Sequence, residues 1–260
     1  MDLSITIVAY KNKNILRECL KCIKKANIGL SYEIIVVDNA SGDGTAKMLN
    51  FEFPEVVAIV SSRNLGFAGG NNLAVARAWG DKILFLNPDV VICQGAVEKT
   101  AAYLDNHPEA GLVGPKLLNA DGTLQYSAFR FPTIFTPLFR RTPLGLFSFG
   151  KKHLRNYLMM DWNHNEVKEV DWLLGSALMM RKSDYGRLAK FDERFFLYFD
   201  DCDLARQVWV SGKKVVYVPH AQMIHFHRRE SAHFGFIKGL FHKPTREHIK
   251  SWIKYFWKWR

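Results

Sequence analysis

Cysteine is scarce: Cys19, Cys22, Cys93 and Cys202 are the four in 260 residues. They form no disulfide framework, which suits a reducing compartment. Cys19 and Cys22 have the spacing of a redox pair, but they fall in a helical pattern with Ile15, Leu16, Leu20 and Ile23, so burial is expected instead. No apolar run is long enough to span a bilayer. The apolar stretch Leu3 to Ala9 meets Lys11 and Lys13 without a basic lead or a cleavage site, so it is not expected to be a signal peptide. Internal repeats and low-complexity tracts are absent from the sequence. Acid is also short: 25 Asp and Glu stand against 36 Lys and Arg, a net charge of +11. That surplus asks for anionic lipid, nucleic acid or a phosphorylated substrate.

What is present is an ordinary globular composition, 48% hydrophobic and 23% charged, with a length that suits one large α/β domain or one domain plus an appendage. The first half alternates strand and helix. Strands are predicted over Leu3–Tyr10, Tyr32–Val37, Val56–Ser61 and Lys82–Leu86, and helices over Asn14–Ala26, Thr45–Leu49, Ala68–Trp79 and Gly95–Asn106. Continuous apolar strands in a βαβ series imply a mostly parallel sheet covered on both faces. After Gly111 the rhythm changes. Short strands are predicted over Val113–Leu118 and Thr123–Ser127 around an Asp121-Gly122 turn. Residues 129–165, with Pro132, Pro137 and Pro143 among aromatics and Arg140-Arg141, read as a long irregular loop or lid. Strands return at Val170–Leu174, Ala177–Arg181 and Lys213–Val218, with a helix at Asp201–Ser211.

The C-terminal stretch differs in kind. From Arg228 to Arg260, nine Lys or Arg stand against two acids, a balance of +7. Ile249, Trp252, Ile253, Phe256 and Trp257 share one helical face and Lys250, Lys254 and Lys258 another. A basic helix with Trp and Phe on its apolar side fits an anionic membrane interface; it also fits a helix docked on the protein's own core with its lysines in water.

Two apolar runs end in acids. Ile83-Leu84-Phe85-Leu86 closes on Asn87-Pro88-Asp89, and Phe195-Phe196-Leu197-Tyr198-Phe199 leads to Asp200-Asp201-Cys202-Asp203. A strand ending in a carboxylate aims it at the sheet rim, where open α/β folds bind ligands. Asp89 suits Mg2+ or Mn2+, which take one or two carboxylates plus diphosphate oxygens; an Asn-Pro-Asp turn is the plainer alternative. Asp201 suits a general base whose proton affinity Asp200 and Asp203 raise; a helix-capping aspartate is the alternative. Asp38, at a strand end, can accept the N3–H of a uracil or thymine ring, with Asn39 and Ser41 near ribose or backbone, although these residue types also form capped turns. In Asn64-Leu65-Gly66-Phe67-Ala68-Gly69-Gly70-Asn71-Asn72 the glycines let backbone approach a ligand and the following helix offers N–H groups to phosphate. The spacing is not G-x-G-x-x-G and follows the third strand, which counts against an oxidoreductase. His225 and His227 lie two apart on a strand extension, and imidazole there is a further candidate metal ligand.

Taken in order, Ile7-Val8-Ala9-Tyr10, Val36-Val37-Asp38-Asn39-Ala40-Ser41, the Asn64 to Asn72 stretch, Leu86-Asn87-Pro88-Asp89, Gly175-Ser176-Ala177, Phe191 to Leu204, and Val218-Pro219 with Ala221 and His225 resemble a family 2 glycosyltransferase of the GT-A fold, near the bacterial rhamnosyltransferase-like branch. The resemblance runs from Leu3 to about Ser231, so residues 1–231 are expected as the GT-A domain and 232–260 as a basic helical tail. It implies inverting transfer of a sugar, rhamnose or similar, from a dTDP- or UDP-sugar to a saccharide or lipid-linked saccharide in cell-surface polysaccharide synthesis. It implies a nucleotide site of Ala9, Tyr10, Asp38, Asn39, Ser41, Asn64, Gly66, Gly70, Asn71 and Asn87, a Mg2+ or Mn2+ at Asp89 and His225, Asp201 as catalytic base, and an acceptor side of Trp172, Gly175 and Asp200.

The sequence departs from the family pattern at Asn87, where many relatives carry an acid, at Asp200, where Glu is usual, and at His227-Arg228-Arg229-Glu230-Ser231, where a glycine is usual. The expected place is cytoplasmic, peripheral on the inner face of the membrane, with an anionic lipid surface and no nucleic acid as partners. The rival reading is a non-catalytic nucleotide or nucleic-acid binding module, favoured by the charge but lacking a base-stacking motif. A nucleotidyltransferase is disfavoured because Ala9-Tyr10-Lys11-Asn12 stands where a Gly-rich basic loop would be.

Overall fold

The computed structural model describes residues 1–188, 190–226 and 243–260. One sheet organises the chain. Strands β1 (Leu3–Ala9), β2 (Tyr32–Asp38), β3 (Val57–Val60) and β4 (Lys82–Leu86) run parallel in the order β3-β2-β1-β4. The sheet continues through β11 (Ala177–Arg181), β6 (Ala110–Leu118), β12 (Lys214–His225) and β5 (Val90–Ile92). β11 is antiparallel to β4, β6 and β12 are parallel, and β5 is antiparallel to β12. β7 (Leu124–Gln125) pairs with β6 and β9 (Lys168–Glu169) with β12, while β8 (Ala128–Phe129) and β10 (Trp172–Leu173) form a separate two-stranded ladder.

Both faces of the sheet are covered, as near-continuous apolar strands require. On one face lie α1 (Lys13–Lys25), α2 (Thr45–Glu52) and α4 (Ala96–Asn106). α1 buries Leu16, Cys19, Leu20 and Ile23, one apolar stripe at helical spacing, and places Lys24 and Lys25 in its last turn where the helix dipole favours cations. Cys19 is therefore a core residue, and burial pushes its thiol up, away from the reactive thiolate. On the other face lie α3 (Gly66–Val75), α7 (Lys182–Leu188) and α8 (Asp200–Val210).

Three expectations are corrected. Residues 129–165 are not an irregular lid. They hold α5 (Thr136–Arg141), a 3-10 turn (Pro143–Leu146) and α6 (Ser148–Tyr157). Pro137 and Pro143 stand in the first turn of their helices, where the missing N–H costs nothing, so they start helices and do not break them. α7 was not expected; it follows β11 without a loop, and its Asp184 is buried against Arg187 at 2.7 Å and Lys213 at 3.1 Å.

The third correction concerns the terminal helix α9 (Lys243–Lys258), which is docked, and by a different face from the one its aromatics suggest. Ser251 and Tyr255 are buried, whereas Ile253 and Trp257 are 59% and 62% exposed. Lys258 is not in water: its ammonium lies 2.9 Å from Asp192 and 2.8 Å from Asp203 of α8. Trp259 Nε1 also donates to Asp203, at 2.7 Å.

Candidate active site

The parallel strands deliver the first group of candidates to one rim. Ala9 and Asp38 are partners at the carboxyl ends of β1 and β2. Asn39 N–H donates to Ala9 O at 2.8 Å, and Ser41 N–H to Asp38 Oδ1 at 2.9 Å. Ser41 Oγ in turn accepts Lys11 N–H at 3.1 Å and lies 3.4 Å from Ala9 O. Ser41 is thus a turn builder that holds Asp38 in place. Tyr10, beside it, is 43% exposed.

Asn39 ties this rim to the glycine stretch. Its amide nitrogen donates to Asn64 Oδ1 at 2.9 Å and Gly66 O at 3.0 Å, and its Oδ1 accepts Leu65 N–H at 2.7 Å. The glycines are explained largely by packing. Gly66 has φ +72°, and a side chain there would collide with the carbonyl of Phe196. A Cβ on Gly70 would stand 2.7 Å from Val8 on β1. Asn71 is buried and fully engaged: Thr6 Oγ1 donates to its Oδ1 at 3.1 Å and its amide donates to Phe67 O at 3.1 Å. Gly70 and Asn71 therefore fasten α3 to β1.

The other half of the sheet supplies the second group. Asn87 N–H donates to Ser176 O at 2.8 Å, which joins the end of β4 to the approach of β11. β5 leaves Asp89 and pairs with β12, with Val90 opposite His225. His225 Nε2 lies 3.4 Å from Asp89 Oδ1. Its Nδ1 is 2.6 Å from Gln125 Oε1, and the Gln125 amide nitrogen donates to Asn119 Oδ1 at 3.0 Å. That network orients the Gln125 carbonyl toward the ring, so Nδ1 is the donor and Nε2 faces the carboxylate. A ring nitrogen and a carboxylate oxygen at this distance are close enough to share a cation, and the carbonyl-held imidazole matches the support usual for a metal-ligating histidine. No cluster of three or more His, Cys, Asp or Glu suited to a metal occurs among the described residues. His227 and the 228–231 stretch lie outside the described residues.

Asp201 sits at the start of α8, on a backbone turn that few sequences tolerate. Tyr198 and Phe199 precede it with φ +69° and +65°. Left-handed backbone at bulky residues costs on the order of 1–3 kcal/mol each and concentrates at functional sites. Asp201 Oδ2 accepts Gly175 N–H at 2.8 Å. A Cβ on Gly175 would lie 3.1 Å from Asp201 Cβ, so a side chain there would require Asp201 to shift by a few tenths of an ångström. Burial raises Asp201 to about 6, against the downward pull of the Gly175 and Cys202 N–H groups. Asp200 is buried and pushed well up, by burial first and then by the Asp201 charge. Asp203, expected to tune Asp201, is instead wholly buried and engaged with Lys258 and Trp259.

Trp172 forms a wall near this carboxylate. It is 8% exposed, stacks on Phe129 at 4.4 Å and donates from Nε1 to Arg130 O at 2.9 Å. Tyr157 continues the wall, stacked on Phe129 at 5.5 Å beneath the Arg140 guanidinium at 5.6 Å. The sequence reading missed Gln125, Phe196, the Tyr198-Phe199 turn and Lys258. Only Gln125 had a signal, since it follows the Asp121-Gly122 turn and so must pair back on β6.

The model of the glycosyl transferase family 2 matches residues 4–161. The chain belongs to that family. It is 30% identical over 215 residues to the N-acetylglucosaminyl-diphospho-decaprenol L-rhamnosyltransferase of Mycobacterium tuberculosis, covering 77% of this chain and 69% of that one. It is 26% identical over 259 residues to the rhamnosyltransferase WbbL of Escherichia coli K12, covering 96% and 91%. The crystal structure of GalNAc-T7 with UDP, GalNAc and Mn2+ superposes with a TM-score of 0.64 at 15% identity, over 88% of this chain but 44% of that one. That likeness shows the fold, the expected α/β GT-A type. The chain is a glycosyltransferase with rhamnosyltransferase relatives.

Proposed function

We propose that this glycosyltransferase moves a sugar, rhamnose or similar, with inversion from a dTDP- or UDP-sugar to a lipid-linked saccharide in cell-surface polysaccharide synthesis. The observation that carries the reading is Asp201: a carboxylate raised to about 6 and held by Gly175 N–H on the same sheet rim as Asp38 and Asp89. Asp38 accepts the N3–H of the base, and Tyr10 with the Asn39–Asn64–Gly66 network shapes the nucleoside pocket. The acceptor hydroxyl oxygen attacks the anomeric carbon from the face opposite the diphosphate. The bond from that carbon to the diphosphate oxygen breaks, its electron pair leaves with the diphosphate, and the hydroxyl proton passes to Asp201. The transition state is oxocarbenium-like, so placing and electrostatics supply most of the rate. Asp89 and His225 would hold Mg2+ or Mn2+, whose positive charge favours a diphosphate leaving group. Asp200 and Trp172 border the acceptor.

The acceptor chemistry puts the enzyme at the cytoplasmic face of a membrane as a peripheral protein. No helix among the described residues is long and apolar enough to cross one. The exposed Ile253 and Trp257 on the basic helix α9 support a lipid contact there. The test is binding of UDP, dTDP, GDP and CDP with and without Mn2+ or Mg2+, followed by product analysis with the preferred donor. Metal-enhanced binding of UDP or dTDP and a product of inverted anomeric configuration are expected. A retained configuration, or binding of no nucleotide, overturns the reading.

A further inference from the structure

We propose that the helical insertion α5–α6 is the main surface by which this chain docks on an anionic lipid bilayer. The inference rests on the membrane contact proposed above and moves its centre from α9 to the insertion. It does not depend on the transfer chemistry.

Three observations carry it. The first is exposure in a well-built element. Phe135, Leu146, Phe147 and Phe149 are 58%, 72%, 57% and 56% exposed, although the helices beneath them are tightly joined. Thr136 Oγ1 meets His153 Nε2 at 2.8 Å across the two helices, and side chains on Gly145 or Gly150 would collide with the carbonyls of Phe139 or Leu144. A hairpin this close-packed turns its large apolar groups outward, where water penalises them. The second is continuity. Phe135 lies 6.3 Å from Phe139, Phe139 lies 5.6 Å from Phe149, and Phe149 lies 5.9 Å from Phe147, ring centre to ring centre. Scattered surface apolars need no explanation, but a joined patch does.

The third is charge. Residues 130–157 contain six Lys or Arg and no Asp or Glu. Lys151 and Lys152 are exposed beside the aromatic patch, while Arg155 pairs with Asp161 and Arg130 with Asp171. Apolar side chains beside a surplus of cations complement an anionic leaflet, where each unpaired basic residue adds about 1 kcal/mol and the aromatics enter the interface. The patch also stands where a membrane contact is useful. Arg140 covers Tyr157 in the wall near Asp201, and Arg141 and Arg140 are near enough to help burial push His248 of α9 down to about 3. Through Arg140 and Arg141 the insertion therefore touches both the tail helix and the wall near Asp201.

The full chain is floated with vesicles of phosphatidylglycerol and phosphatidylcholine, and with phosphatidylcholine alone. The variants are Phe147→Ser with Phe149→Ser, Lys151→Glu with Lys152→Glu, and Ile253→Ser with Trp257→Ser. All six side chains are exposed or partly so, and thermal melting confirms that each variant is folded. The expected result is preference for anionic vesicles, a partition coefficient lowered on the order of tenfold or more by each insertion variant, and a smaller loss for the tail variant. Loss in the tail variant alone overturns the insertion while sparing the membrane reading. Wild-type protein that floats with neither vesicle overturns both. A Phe147→Ser, Phe149→Ser protein that floats normally but sediments as a smaller oligomer makes the patch a contact between copies, which also overturns the proposal.

Discussion

At the residue scale the proposed base is shaped by what surrounds it. Asp201 is raised to about 6 by burial, and a base must be ionised. The transfer rate is expected to climb about tenfold per pH unit below that value and to level off above it. Asp201→Asn should bind donor normally and lose roughly 10²–10⁴ in rate. The same shift has a stability sign. The folded pKa lies above the unfolded value of about 3.9, so charging Asp201 disfavours the fold as pH rises from about 4 to 6. At pH 7 to 8 the penalty is complete, and Asp201→Asn should raise Tm by a few degrees in a melting scan. An inactive variant that melts lower would assign Asp201 to architecture. Gln125 permits a second check. If it fixes the His225 tautomer, Gln125→Leu should weaken Mn2+-enhanced UDP binding about 10–100-fold in calorimetry while leaving metal-free binding unchanged. Asp38, Asp89 and Asp201 were legible in the sequence because each follows an apolar run. The packing duty of Gly70 and Asn71 was not legible, because a glycine that admits a ligand and one that admits a neighbouring strand look the same until Val8 and Thr6 are in place.

At the element scale the parallel half of the sheet was legible to within a few residues, since buried strands and amphipathic helices each have their own period. The insertion was not, because its prolines signal a break equally well when they begin a helix. The tail was half legible. Its helix was expected, but its docking face is set by Ser251, Tyr255 and Lys258, residues whose polarity hides burial. Lys258 bridges Asp192 on the turn before α8 and Asp203 within it. On Asp192 burial acts upward, yet hydrogen bonds from Arg194 and Lys258 prevail and hold the carboxyl well below its usual range. Asp203 has no exposure, so Lys258→Met leaves a buried carboxylate short of its counter-charge. Loss of about 3–5 kcal/mol in denaturant melts is expected. The double variant Lys258→Met, Asp203→Leu should recover much of that loss, because removing both charges removes the desolvation penalty as well. A single variant as stable as wild type would show that α9 is held by its aromatics alone.

At the scale of the whole molecule two halves meet along one seam. The parallel half carries Asp38 and the glycine stretch, and the half built on β11, β6 and β12 carries Gly175 and the approach to α8. Besides the β4–β11 ladder they touch at Gly66: Phe67 N–H donates to Phe196 O at 3.2 Å, and a Cβ at Gly66 would strike that carbonyl. Phe196 is three residues before the left-handed Phe199 that sets the direction of α8. The proposed nucleotide side and the proposed base side are therefore in direct contact through backbone, which resists displacement more than a side-chain contact does. Gly66→Ala combines a φ of +72° with this collision, so backbone strain alone is expected to lower stability by about 1 kcal/mol or more. The informative readout is functional. If the seam only packs, the variant should lose donor affinity and keep kcat at saturating donor. If it positions α8, kcat should fall as well, and the pH midpoint of the transfer rate should move from about 6 as Gly175 N–H loses its hold on Asp201. Asp38→Ala is the control, since it touches the nucleotide side without reaching Phe196: it should weaken donor binding and leave that midpoint in place. The same midpoint in both variants would confine coupling between the halves to stability.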